Sequence, residues 1–220
     1  MRSILGAIIL MLAVDQKVAD RLYDSSVILD ELVKAPDSAI PKDLLKRAQC
    51  VAVIPAVKKA AIGIGGEYGR GAVSCRKGGE KGTFGAPSMI MLGGGSFGLQ
   101  IGGQSTDVVM LFMTPESYKT LLRDKITIGA DVSAAGPIGR AASAETDATL
   151  RAEILTYARS RGLFAGIALN GATLRPDKDA NKDLYGKRIE AKDLLENSNV
   201  AVPGPAQKFL DSLRRSAPGN

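Results

Sequence analysis

Glycine is the residue that most restricts how this chain can fold. Fifteen glycines fall within the 41 residues from Gly63 to Gly103, and short apolar runs lie between them. A helix is excluded there, because each interior glycine costs about 1 kcal/mol relative to alanine. The apolar runs also distinguish the segment from a flexible glycine linker. The pattern therefore predicts many short strands with tight turns, bulges and close sheet crossings.

Helical periodicity appears on both sides of this segment. Apolar residues recur at steps of three and four in residues 18–33, which predicts an amphipathic helix. We also predict helices at 41–48, 114–122, 144–150, 189–196 and 206–215, and strands at 50–54, 72–75, 127–135, 153–160 and 164–169. No repeat or linker divides the chain. We therefore expect one α+β domain, with a strongly twisted antiparallel sheet or barrel-like β core flanked by N- and C-terminal helices.

The absence of histidine narrows the chemistry. It excludes an imidazole base, a histidine triad and most zinc sites. Chemistry by carboxylates or lysine stays open, since Asp107 and Asp131 lie in or beside apolar strands. No nucleophile has a base at motif spacing, however. We expect a protein that is not an enzyme, with no catalytic residue, metal or cofactor.

The string GGGSFG at residues 93–98 matches the dinucleotide-binding pattern G-x-G-x-x-G. That pattern works only where a helix begins at the last glycines and directs its N-terminus at the pyrophosphate. Here Gly102 and Gly103 follow within five residues and would break such a helix. We interpret the match as accidental.

The positive charge of the chain is concentrated in one segment. The net charge is +6, and between Lys42 and Lys81 nine basic residues face three acids. A localised basic surface favours phosphate-bearing partners, although a solvated face that maintains solubility is the alternative. Nucleic acid is disfavoured, because Tyr68 is the one aromatic residue of the basic segment and base stacking needs several. The candidate lipid-binding residues are Lys58, Lys59, Arg70, Arg76, Lys77, Arg140, Arg159 and Arg161.

The start of the chain resembles an export signal. An apolar run of eleven residues, 4–14, follows Arg2. It is too short to span a bilayer as a helix, which takes about 20 residues, but it suits a signal-peptide core. We predict a signal in residues 1–14 and a domain in 15–220, in a protein that is exported, periplasmic or membrane-associated. A buried first helix is the alternative.

Export would make a disulfide between Cys50 and Cys75 plausible. Both cysteines lie at the outer ends of predicted consecutive strands, and an antiparallel pairing would bring them opposite each other. In a reducing compartment the same pair would be two small buried thiols.

Several longer strings resemble the SYLF domain. They are IPKDLLKRAQCVAVIP (40–55), GGEYGRGAVSCR (65–76), GAPSMIMLGGGSFGLQIGGQSTDVVMLFM (85–113), AAGPIGR (134–140) and YARSRGLFAGIALNGATL (157–174). The resemblance covers roughly residues 17–213, in order and without large gaps. One departure is Thr83-Phe84, where the family usually has a tryptophan.

The resemblance implies a non-enzymatic domain that binds phosphoinositides or other anionic phospholipids, with bacterial exported members among its relatives. It also implies that residues 18–33 contribute lipid contact as an amphipathic helix. Our main hypothesis is therefore docking on an anionic membrane through the basic residues and this helix. The alternative is a protein-interaction or structural module, since some eukaryotic members bind actin filaments. A carboxylate- or lysine-based enzyme is the third hypothesis.

Overall fold

The computed structural model describes residues 14–34, 40–62, 64–79, 82–97, 102–136, 152–160, 163–167 and 169–218. The predicted α+β class is confirmed. The described helices are α1 (Gln16–Lys34), α2 (Lys42–Arg47), α3 (Pro115–Leu121), α4 (Lys178–Tyr185), α5 (Ala191–Glu196) and α6 (Gly204–Ser216). The predicted signal and the predicted helix at 144–150 lie outside the described residues, apart from Val14.

One strongly curled sheet, shaped as a half-barrel, forms the centre of the domain. Its strands are β1 (Cys50–Ile62), β2 (Ile64–Lys77), β3 (Thr83–Phe84), β4 (Ser88–Phe97), β5 (Gly102–Phe112), β6 (Ile126–Thr127), β7 (Ala134–Ala135), β8 (Ile154–Ser160), β9 (Leu163–Gly166) and β10 (Thr173–Pro176). The strand order is β6-β10-β4-β2-β1-β5-β8-β7, with β3 paired to β2 and β9 to β8. All described ladders are antiparallel except β7–β8. The GGGSFG string falls largely within β4, as a strand.

Two hydrophobic clusters occupy the two faces of this sheet. Helices α1, α2, α4 and α6 contribute to the first cluster, where Val53 and Leu111 come from the sheet. Helices α3 and α5 contribute Leu121 and Leu195 to the second. Side chains of alternate residues along a strand face opposite sides, so β1 and β5 supply both clusters. The sequences of the central strands are therefore continuous apolar runs rather than alternating ones.

The apolar face of α1 is buried within the first cluster. Val18, Leu22, Leu29 and Leu32 are each at most 3% exposed. Exposing one such side chain to water costs about 2 kcal/mol. The prediction that this face enters a membrane is therefore wrong for the folded domain, because the sheet and α6 already cover it. No described helix is both long and apolar enough to cross a bilayer.

A bulge interrupts β1 at Pro55 and Ala56. Between matched register positions β1 contains one residue more than β2, and also one more than β5. Ala56 adopts a positive φ of 48°, which is unfavourable for a residue with a Cβ. Its backbone N–H donates to Oδ1 of Asp107 at 2.9 Å, which holds the bulge in place.

Two predicted elements differ in the structure. The strand predicted at 127–135 is instead two short strands, β6 and β7, joined by a turn in which Gly129 has a φ of +87°. Oδ2 of Asp131 accepts a hydrogen bond from the Thr127 backbone N–H at 2.6 Å and closes this turn. The sequence prediction also missed α4, which begins after the N-cap Asp177 and ends at Gly186 in the left-handed region.

A disulfide joins Cys50 to Cys75, which lie opposite each other in the β1–β2 ladder with a Cα–Cα distance of 4.0 Å. The bond closes a sequence separation of 25 residues. A loop of that size corresponds to about 3 kcal/mol of stabilisation. We expect reduction to lower the free energy of unfolding by about this amount in urea titrations with and without reductant. Cys50→Ala/Cys75→Ala is the control and should not respond to reductant; equal wild-type midpoints in both titrations would contradict the prediction.

Candidate functional site

An open groove of about 380 Å³ lies where the first turns of α1 approach the β1 bulge and β2. Its charged lining residues are Lys17, Asp20, Arg21, Asp24, Lys58 and Arg70. Pro55, Ala56, Tyr68 and Gly69 line the rest. Four cations therefore face two acids, and we call this surface the cationic groove.

Asp177 anchors two of the four cations. Its carboxylate is buried, and Oδ1 caps α4 by accepting from the Ala180 backbone N–H at 3.2 Å. Oδ2 lies 3.4 Å from Nη1 of Arg21 and 3.6 Å from Nη1 of Arg70. Because two guanidinium groups share one carboxylate, this wall of the groove keeps a net positive charge.

The two arginines have shifted pKa values for different reasons. Partial burial lowers the pKa of Arg21, and the charge of Asp177 opposes this effect. The hydrogen bond from Nε to the Tyr68 hydroxyl raises the pKa of Arg70. Arginine is not deprotonated in proteins, so both side chains stay positively charged at neutral pH.

Tyr68 and Arg70 form the exposed rim of the groove. The Tyr68 side chain is 46% exposed, and the guanidinium of Arg70 lies 5.7 Å from its ring centroid. Tyrosine and arginine are enriched among the residues that dominate protein–protein binding energy. An exposed pair held in one geometry is thus suited to contacting a partner.

The predicted Lys58 lies beside this rim. Lys58 is exposed and lies opposite Tyr68 in the β1–β2 register. Lys59 is the next residue of β1 and lies opposite Glu67. Of the predicted basic residues whose side chains the structure describes, Lys58 and Arg70 line the groove.

Arg76 lies in the interior rather than on the surface that the sequence predicts. It is 6% exposed, and its guanidinium carbon lies 4.3 Å from the Phe84 ring centroid. The guanidinium donates to the carbonyl oxygens of Ala48 (3.0 Å), Gly82 (2.9 Å), Lys46 (3.2 Å), Ala217 (2.8 Å) and Pro218 (3.4 Å). These bonds join the C-terminal ends of α2 and α6 to β2.

Lys77 also contacts a helix end. Its Nζ donates to the carbonyl oxygen of Leu194 at 2.9 Å, in the last turn of α5. Burial lowers the pKa of Lys77 to about 8, although the charge of Glu196 opposes the shift. Arg76 and Lys77 are thus adjacent in sequence but hydrogen-bond to helices on opposite faces of the sheet.

Arg159 belongs to an ion-pair network beyond the groove. Its Nη1 lies 2.8 Å from Oε2 of Glu31, and its Nε lies 3.2 Å from Oδ2 of Asp107. The network connects α1 to β8 and to the carboxylate that holds the β1 bulge. The other two predicted arginines, Arg140 and Arg161, lie outside the described residues.

Sequence reasoning missed two groove cations on α1, Lys17 and Arg21. Their spacing of four residues places them on one face of a helix. The sequence contains this spacing, but the count of charges began at Lys42 and so did not include α1. Asp177 gave no such signal, because its role depends on packing between α1, β2 and α4.

The described residues hold no group of three or more Cys, Asp or Glu side chains placed to bind a metal ion. Within the cationic groove, the acids are Asp20 and Asp24, and Asp20 accepts a hydrogen bond from Gln16 at 2.6 Å. The arrangement presents fixed positive charge and an aromatic rim. It is suited to binding an anionic partner.

Comparison with known families agrees with the resemblance seen in the sequence. The Ysc84 family model, described as "Las17-binding protein actin regulator", matches residues 93–216, which is more than half of the chain. The chain belongs to the Ysc84 (SYLF) family. The residues that line the cationic groove, within 17–70, lie before the matched region, whereas Asp107 and Asp177, which contact groove residues, lie within it.

Three relatives show how Ysc84 domains occur in longer proteins. The chain is 39% identical to an SH3 domain-containing protein of Schizosaccharomyces pombe, over 79% of this chain and 40% of the relative. It is 35% identical to LAS seventeen-binding protein 3 of Saccharomyces cerevisiae, over 83% of this chain and 39% of the relative. It is 31% identical to human SH3 domain-containing YSC84-like protein 1, over 81% of this chain and 52% of the relative.

The chain spans about half the length of these Ysc84-family relatives, or less. The names of the family and of the yeast relative refer to binding of Las17, and the family name also refers to regulation of actin. They support the protein-interaction hypothesis better than the lipid-binding hypothesis.

Proposed function

We propose that this domain is a non-enzymatic interaction module that binds an acidic protein surface through the cationic groove. The observation that carries the proposal is the pairing of Arg21 and Arg70 with the buried Asp177, beside the exposed Tyr68. A cation held in place before binding loses less conformational entropy on binding than a mobile one. Because the family is described as an actin regulator, an actin filament is the first partner to test.

The test is co-sedimentation with filamentous actin. We expect Lys58→Glu/Arg70→Glu to weaken binding at least about tenfold, because each reversal replaces attraction by like-charge repulsion at the contact. The matched control is Arg123→Glu/Lys125→Glu, which makes the same change of charge at exposed positions after α3. The control should bind as the wild type does.

Two results would count against this function. If the groove variant and the wild type bind filaments with equal affinity, the groove does not contact the filament. A wild-type domain that stays in the supernatant with filaments at low salt would exclude actin as the partner, since low salt strengthens contacts between exposed charges.

A second candidate function is binding of anionic phospholipid. It is favoured by the position of Lys58 beside the groove cations Lys17, Arg21 and Arg70. Each basic residue near an anionic membrane contributes about 1 kcal/mol, and salt screens the attraction. Vesicle co-sedimentation at two salt concentrations tests it, and binding that is absent or indifferent to lipid charge would reject it.

A further inference from the structure

A second cationic site lies at the opposite end of α1 from the groove. It is a cavity of about 190 Å³ between the end of α1, the short helix α2 and the end of α6. About 16 Å of helix separates Arg21, which lines the groove, from Leu32, which lines the cavity. We call it the α2 cavity; its lining includes Leu32, Lys42, Leu45, Lys46, Arg215 and Pro218.

The base of the α2 cavity is apolar. Leu32 and Leu45 line it and are each 3% exposed, so the cavity reaches down to the first hydrophobic cluster. Pro218, which is exposed, adds an apolar side chain at the mouth. An apolar cavity of about 150 Å³ lined by such side chains accommodates benzene. The α2 cavity is therefore large enough for an apolar group of about six carbon atoms.

Arg76 holds the two walls of this cavity together. Its guanidinium donates to the carbonyl oxygen of Lys46 on α2 at 3.2 Å and to that of Ala217 after α6 at 2.8 Å. Because one buried group bonds to both walls, their separation is set before any ligand binds. A preformed site of this kind loses less conformational entropy on binding than a site that must be ordered.

The mouth of the cavity carries three cations. Lys42 and Lys46 are four residues apart, which places them on one face of α2. Within the described part of the chain, neither ammonium group has an ion-pair partner. Arg215 differs, because its Nη2 lies 2.8 Å from Oδ1 of Asp30. Asp30 thus compensates the charge of Arg215, and the charges of the two lysines stay uncompensated.

This arrangement of lysines is unfavourable without an anion. Like charges four residues apart destabilise a helix, and α2 has only six residues. No acidic residue is among the described residues that line the cavity. A cleft that is lined by one sign of charge and has apolar walls concentrates the electric field and attracts counter-ions. The lysines and the apolar base together indicate a ligand with a negative head and a small apolar body.

We propose that the α2 cavity binds a small monocarboxylate, with its apolar body against Leu32 and Leu45 and its carboxylate between Lys42 and Lys46. The two carboxylate oxygens accept from both ammonium groups, and hydrogen bonds between ionised groups are about twice as strong as neutral ones. The same chemistry occurs in a free aromatic acid and in a C-terminal phenylalanine. The proposal does not depend on the cationic groove or on either candidate function.

Benzoate is the probe, because it combines a carboxylate with a phenyl ring. We expect titration of benzoate into the full chain to shift the methyl signals of Leu32 and Leu45 in ¹³C NMR spectra, since an aromatic ring perturbs the methyl groups that it contacts. Leu121 is the internal control, because it belongs to the hydrophobic cluster on the other face of the sheet and should not respond. Benzamide has the same shape without the charge and should bind at least about tenfold more weakly.

Neutralising the two lysines gives a second readout. We expect Lys42→Gln/Lys46→Gln to lower the affinity for benzoate at least about tenfold, because both donors to the carboxylate lose their charge. The matched control is Lys119→Gln/Lys125→Gln, which removes the same charge at exposed positions on and after α3. The control should bind within a factor of about two of the wild type, because salt screens charges outside the cavity.

A peptide comparison distinguishes the two sources of the ligand. N-acetyl-glycyl-phenylalanine with a free carboxylate is titrated beside its C-terminal amide. Tighter binding of the free-acid dipeptide than of benzoate assigns the cavity to the C-terminus of a partner protein, and tighter binding of benzoate assigns it to a free acid. In both cases the amide should bind at least about tenfold more weakly than the free-acid dipeptide.

Three kinds of result would overturn the proposal. If millimolar benzoate leaves the methyl signals of Leu32 and Leu45 unchanged, the cavity holds no such ligand. Equal affinity for benzoate and benzamide, or equal affinity of the wild type and Lys42→Gln/Lys46→Gln for benzoate, would show that the lysines do not bind a carboxylate. An affinity for inorganic phosphate equal to that for benzoate would show that the apolar base does not contribute to binding.

Discussion

Replacing Arg76 by methionine is expected to lower the free energy of unfolding by about 4 kcal/mol. The guanidinium donates to Ala48 at the end of α2 and to Ala217 at the end of α6, and both of these bonds are buried. A hydrogen bond to a charged group is worth about 1.5–3 kcal/mol. Methionine keeps the apolar stem over Phe84 but leaves those carbonyl oxygens without a donor.

The geometry also predicts a ranking of substitutions. The last carbonyl groups of a helix have no partner within the helix and favour a nearby cation. Lysine restores the charge, but one ammonium cannot reproduce the planar fork that reaches three chain segments. We therefore expect Arg76→Lys to fall between the wild type and Arg76→Met.

Urea unfolding measures these differences in the free energy of unfolding, provided that its dependence on urea concentration is the same for each variant. Arg188→Met, at an exposed site before α5, is the control and should change the free energy of unfolding by less than about 0.5 kcal/mol. An Arg76→Met variant as stable as this control would show that Arg76 does not hold the two helix ends.

Arg76 also shows where sequence reasoning stops. The local charge excess drew attention to β1 and β2, and two of the residues it singled out, Lys58 and Arg70, line one groove. Adjacent residues of a strand face opposite sides, so Arg76 and Lys77 could not both join one surface. The partners of Arg76 come from residues up to 142 positions away, and no local pattern indicates such contacts.

The sequence predicted more of the fold than of the site. Glycine density predicted the sheet, and helical periodicity predicted α1 and α6, because these signals depend on local backbone preference and on a single apolar face. Helix α4 was missed because its sequence is dominated by polar residues, although Asp177 and Gly186 are ordinary cap signals. The burial of α1 depends on its packing against α6 and the sheet, which amphipathicity alone does not distinguish from a membrane contact.

Replacing Gly71 by alanine is expected to cost at least about 3 kcal/mol. A Cβ built at Gly71 would lie 2.0 Å from the carbonyl oxygen of Val53 and 2.7 Å from Cα of Ile54. Both are backbone atoms, so no side chain can move aside to make room. The extra residue in the β1 bulge brings the β1 backbone against β2 at this position, and overpacking of this kind is strongly destabilising.

Gly66→Ala is the matched control, because it makes the same substitution in the same strand. The nearest atom to its added Cβ is the carbonyl oxygen of Gly94 at 3.8 Å, an ordinary contact. We expect a change below about 1 kcal/mol, measured by urea unfolding alongside Gly71→Ala. Similar losses for both variants would mean that strand glycine is needed for flexibility rather than for space.

The same comparison connects the glycines to the groove. Any relief of the Gly71→Ala clash must displace the β1 bulge, and that bulge includes Pro55 and Ala56, which line the groove. We therefore expect whatever fraction of Gly71→Ala still folds to bind its partner more weakly, while Gly66→Ala binds as the wild type does. If folded Gly71→Ala keeps wild-type affinity, the bulge is required for packing the sheet and not for shaping the site.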